Sequence, residues 1–151
     1  SRLMRPHVNS GELSFRRVGE IARLSKTSLV STTIRSVSLS DFPCAVVGIR
    51  EEAVAWSFLS SPLIEAGCYP LAGRSPLPPS ARRLWNQVAA SPRQRTECDV
   101  LLRDWFRTYD RDSLSDLLVH VEAKWVESMA TFLVLITADE DDLADSNSDD
   151  D

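Results

Sequence analysis

The stretch Leu117-Leu118-Val119-His120-Val121-Glu122-Ala123-Lys124-Trp125-Val126-Glu127-Ser128 decides how the fold is read. Its first five residues form a short apolar run, the mark of a buried strand. From Glu122 to Ile136 the residues Trp125, Val126, Met129, Phe132 and Leu133 make a wide apolar stripe, which predicts a helix. A strand followed at once by a helix is the building unit of a parallel sheet.

Working outward, the same alternation recurs. Ala45-Val46-Val47-Gly48-Ile49 is an apolar run carrying a glycine, and it predicts the first core strand. Glu51 and Glu52 then open a helix, where acids complement the dipole. That helix carries Val54, Ala55, Phe58 and Leu59 and is interrupted at Pro62. Ser61 and Pro62 start a second helical piece that runs to Ala66 and stops at Gly67. Cys68 to Leu71 is short and extended, and Pro70 places it at a sheet edge. Prolines 76, 78 and 79 mark residues 73–80 as loop, and Ser80 caps a helix from Ala81 to Ala90 that ends at Ser91-Pro92. Cys98 to Leu102 predicts a further strand, and Arg103 to Asp110 a further helix. The order from residue 44 predicts an α/β domain: a small parallel four-stranded sheet flanked by helices, with an inserted helix in 73–95. Another small α/β fold and a helical bundle are the competing architectures.

Upstream of that domain, residues 1–42 form an N-terminal extension. Residues 1–10 read as a flexible lead-in. Phe15, Val18, Ile21, Ala22 and Leu24 predict a helix over 11–24. Residues 25–40 are dense in Ser and Thr with interspersed aliphatics, which predicts an extended strand or hairpin. They also place basic residues just upstream of serines, as kinase substrates do. Residues 139–151 form an acidic tail, expected to be disordered.

The 151 residues fit one domain, with 43% apolar and 26% charged residues, ordinary values for a globular protein. No apolar run approaches the roughly 18 residues of a membrane span, so no membrane role is expected, and no apolar signal segment is evident at Ser1, so secretion is not expected. The net charge of −5 hides an asymmetry. Residues 139–151 carry eight acids and no base, whereas residues 1–50 hold eight Lys/Arg against three Asp/Glu. Arginine makes up fifteen of the seventeen basic residues. It is the better fork for phosphate and carboxylate, and also what a GC-rich genome encodes. Direct nucleic-acid binding is not expected, because only Phe15 and Phe42 interleave with the basic residues and the tail would repel phosphate. Cys44, Cys68 and Cys98 are widely spaced, with no CxxC pair, and His7 and His120 are isolated. Neither a disulfide framework nor a structural metal site is expected, and a reducing compartment fits.

The element order over residues 43–138 resembles the BRCT domain. The resemblance is carried by Trp125, Val126 and Ser128 after the apolar strand 117–121, by Ala45 to Gly48 with the helix ending Ile64-Glu65-Ala66-Gly67, and by Cys98 to Leu102. In style the sequence also resembles kinetochore proteins of kinetoplastids that end in such a domain. The resemblance implies a non-catalytic protein-interaction module of a nuclear, chromosome-associated, cell-cycle protein that needs no cofactor. It implies a protein partner carrying phosphoserine or phosphothreonine, held by a hydroxyl, a glycine N–H and a cation. Gly48 matches the glycine. Arg50, Arg103 and Arg107 are the candidate cations, the last two one turn apart on the expected helix. Salt bridges to Asp104, Asp110 or Asp112 are the plain alternative for Arg103 and Arg107. Val47 stands where the hydroxyl belongs and cannot donate. The alternative is therefore a module with an inactive phosphate pocket that binds unphosphorylated protein or itself, favoured by an exposed apolar patch on the Trp85 helix. An enzyme is not expected: no Walker loop, GxGxxG or HExxH occurs, and no base stands beside a nucleophile. His120 and the cysteines read as strand residues.

Overall fold

The computed structural model describes residues 14–25, 28–70, 77, 79–92, 95–108 and 117–139. The lead-in, most of the proline-rich loop and the acidic tail beyond Asp139 lie outside the described residues. The elements are α1 (Phe15–Ser25), α2 (Leu29–Ser38), β1 (Cys44–Arg50), β2 (Ala53–Leu59), α3 (Ser61–Glu65), β3 (Cys68–Pro70), α4 (Pro79–Ala90), β4 (Arg95–Leu101), β5 (Phe106–Thr108), β6 (Leu118–Val126) and β7 (Thr131–Thr137). Single 3₁₀ turns at Leu102–Asp104 and Glu127–Met129 precede β5 and β7.

The parallel four-stranded sheet is overturned. The main sheet has five strands in the order β2-β1-β7-β6-β4, and every pair in it is antiparallel. β3 and β5 form a separate two-stranded antiparallel ribbon. Residues 53–59 and 131–137, both read as helix, are strands, and so is the segment 106–108. The expected strand over 25–40 is instead helix α2, capped by the Ser28 side chain on the Ser31 N–H.

The physical reason lies in the central strands. β7, Thr-Phe-Leu-Val-Leu-Ile-Thr, is buried at its first six positions because both faces of the sheet are covered. Such a strand shows no period of two, so its apolar run blends into a helical stripe. Burial nevertheless alternates between two cores. Ala45, Val47, Ile49, Phe132, Val134 and Ile136 face one core, beneath α3, α4 and the β3–β5 ribbon. Cys44, Val46, Leu133 and Leu135 face the other, together with Phe15 and Val18 of α1 and Val30 and Val37 of α2. The first helices thus form a layer on the sheet. Cys44 is sealed beneath them, and burial pushes its thiol up to about 11.

Two polar ties fix the layers. Ser60 is fully buried; its hydroxyl donates to the Phe42 carbonyl (2.9 Å) and accepts from the Cys44 N–H (3.0 Å), pinning the start of α3 to the start of β1. On the opposite face Glu122 of β6 is 4% exposed and accepts from the Phe15 N–H at 2.5 Å. Its carboxylate therefore closes the first turn of α1, where donors lack intrahelical partners. Burial raises its pKa, opposed by that hydrogen bond.

Candidate docking groove

One end of the main sheet carries two tight hairpins. β1 turns into β2 through Glu51-Glu52 alone, since Arg50 pairs with Ala53. Both turn residues have positive φ (51° and 61°), the pattern of a type I′ turn. β6 turns into β7 through the Glu127–Met129 3₁₀ turn and Ala130, at φ 47°. These three are the non-glycine residues with positive φ among those described, and all three line one cavity.

That cavity has a volume of about 260 Å³. Ile49, Trp125 and Phe132 contribute from the sheet, and Ala81, Arg82 and Trp85 from α4. Leu77 lies against one side, and Glu51, Glu52 and Ala130 complete the lining. α4 reaches this position because Ala81, Leu84 and Val88 bury one helix face in the core. Trp105 anchors the helix start, donating its indole N–H to Ser80 Oγ at 2.8 Å. Trp85 is left 42% exposed. Its ring stands at 80° to Trp125 (centroids 5.4 Å apart) and at 89° to Phe132 (5.3 Å). Trp125 and Phe132 are direct cross-strand partners, so the sheet register itself builds this aromatic corner.

The sequence reading placed Trp125 on the apolar stripe of a helix. It is instead a half-buried strand residue, and the sealed tryptophan is Trp105. The four predicted phosphate ligands lie on three elements: Gly48 and Arg50 on β1, Arg103 in the 3₁₀ turn after β4, and Arg107 on β5. Gly48 lies mid-strand between Trp56 and Leu133, where its backbone groups serve the ladders, and a Cβ there would collide with the Trp56 indole. Val47, at the hydroxyl position, is buried in the core. Arg50 Nε donates to Thr131 Oγ1 at 2.9 Å, bracing the two hairpin turns against each other. Arg103 sits in the 3₁₀ turn after β4, and Arg107 lies on β5 opposite Tyr69. No helix joins these two arginines, and Asp110 and Asp112 lie outside the described residues.

The exposed Trp85 patch was foreseen as a possibility, but its walls were not. Glu51 and Glu52 were read as a helix start, and Phe132 as a helical stripe residue. The signal available was the cross-strand spacing of Trp125 and Phe132 about a short polar turn. A second hollow of about 310 Å³ is lined by Arg83, Asp99, Asp104 and Leu118 among others. On the exposed side of β4 and β6, His120 Nε2 lies 3.2 Å from Glu97 and Nδ1 3.5 Å from Asp99. Among the described residues no three His, Cys, Asp or Glu side chains converge as a metal site. No helix among them is long and apolar enough to cross a membrane. Comparison with protein-family models and with curated proteins finds no match to the chain.

Proposed function

We propose that this chain is a non-catalytic protein-interaction module that docks an unphosphorylated segment of a partner in the groove between α4 and the hairpin end of the sheet. The observation that carries this reading is the half-exposed Trp85, standing over an open, aromatic-lined hollow on a rigid helix. A large ring already ordered by its neighbours gives contact area at little entropic cost, which is why tryptophans dominate binding surfaces. Burial of Val47 and the ladder position of Gly48 favour this reading over the phosphate reader. A nuclear, chromosome-associated setting is proposed from the sequence resemblance alone, whose parallel element order this fold does not share, and localisation of the tagged chain tests it.

A displayed peptide library, screened in phosphorylated and unphosphorylated forms, tests the docking mode. Binding is expected to be independent of phosphate, reduced at least tenfold by Trp85→Ala (about 1.4 kcal/mol), and unchanged by Arg103→Ala. Phosphate-dependent binding that is lost with Arg103→Ala would restore the phosphate reader instead.

A further inference from the structure

The groove has a charge as well as a shape. Among the described residues that line it, Glu51 and Glu52 are the acids and Arg82 is the base. Two carboxylates and one guanidinium leave that described lining net negative. Three rings, two of them nearly perpendicular to Trp85, line the same space. Aromatic faces attract cations through their quadrupole, and the attraction grows when the cation sheds water easily. A negatively charged rim beside a ring-lined hollow is complementary to a weakly hydrated cation on an apolar stem. The turn supports the same conclusion. Two consecutive glutamates occupy left-handed positions that asparagine and glycine fill at far lower strain, and unfavourable backbone of this kind concentrates where side chains have a task.

We infer that the groove is a receptor for the side chain of an N-trimethylated lysine in a partner protein; this rests on the docking reading above. The trimethylammonium head sits in the corner of Trp85, Trp125 and Phe132, with Glu51 and Glu52 supplying the counter-charge. The four-carbon stem runs along Ile49, Leu77 and Ala81. Trimethylation removes the N–H donors and spreads the charge over methyl groups, so the head needs contact rather than hydrogen bonds. A choline headgroup offers the same cation, but its phosphate lies two carbons away and would face the two glutamates. The lysine source fits better.

The test uses the full chain and the peptide Gly-Ala-Lys-Ala-Gly in three forms: lysine unmodified, lysine trimethylated, and lysine replaced by the neutral tert-butyl isostere of trimethyllysine. Tryptophan indole N–H signals are followed by NMR, and affinities are taken from the titrations. The trimethylated peptide is expected to shift the Trp85 and Trp125 signals saturably and to bind about tenfold tighter than both other forms. Trp85→Ala and the double change Glu51→Asn/Glu52→Gly should each remove about tenfold. The double change suits the turn's own backbone, so its loss of binding cannot be assigned to misfolding; an unchanged amide spectrum elsewhere checks this. Equal binding of the neutral isostere at the same signals would overturn the cation assignment while leaving the docking reading intact. Equal displacement by phosphatidylcholine vesicles would overturn the lysine source. No shift with any of the three peptides would overturn the proposal, while the library screen still reports separately on docking.

Discussion

Glu122 shows how a single residue couples two layers of this molecule. A carboxylate in mid-strand on a covered face pays desolvation, and it stays because the first turn of α1 offers an N–H that β6 brings within 2.5 Å. Its pKa is raised in the folded state, with burial as the chief cause. Between the unfolded and folded pKa values the native protein holds more protons than the unfolded chain. Stability contributed at this site therefore falls as pH rises through that window, and the penalty persists above it. Glu122→Gln keeps an acceptor for Phe15 and does not ionise. Its stability relative to wild type should rise as pH rises from below the ordinary carboxylate range to neutrality, as read from urea midpoints across that range. A constant difference at all pH values would mean that the charge on Glu122 is not what matters. None of this was legible in the sequence, where Glu122 looked like a helix N-terminus: its partner lies 107 residues away.

At the scale of elements, the strands β1, β3 and β4 and the helices α1 and α4 were legible, within a few residues at their ends. Each has a local signal, whether a short apolar run, a proline at an edge or an apolar stripe at helical spacing, although α4 starts at Pro79 and takes Ser80 inside its first turn rather than as the expected cap. Two of the misread elements, β2 and β7, follow turns that lack turn chemistry. Asn-Gly at 51–52 would have announced a hairpin, but Glu-Glu reads as the acidic first turn of a helix. Ala130, in place of glycine at a left-handed position, hid the second hairpin in the same way. Once both turns were missed, β2 and β7 became helices and the antiparallel sheet became a parallel one. The groove was lost with them, because its walls come from the two hairpins. This account assigns a cost to the turn itself. Glu51→Asn/Glu52→Gly should stabilise the fold by about 1–2 kcal/mol by relieving the left-handed strain, seen as a higher urea midpoint with an unchanged slope. A lower midpoint would show that the glutamate side chains hold the hairpin rather than strain it.

On the scale of the whole molecule, the central strands β1 and β7 of the five-stranded antiparallel sheet are covered on both faces. α1 and α2 seal one core; α3, α4 and the β3–β5 ribbon seal the other. This arrangement leaves the hairpin end of the sheet as the place where both a helix and two turns present side chains outward. The proposed docking surface follows from the topology, since lifting α4 from the sheet would separate Trp85 from Trp125 and Phe132. The most direct test is to locate a peptide selected from the library by amide hydrogen exchange and cross-saturation on the full chain. Protection is predicted at residues 50–53, 81–85 and 125–132, with little change along β4 and β5. A footprint centred on Arg103 and Arg107, or along the β2 edge, would contradict the assignment of this groove as the docking site.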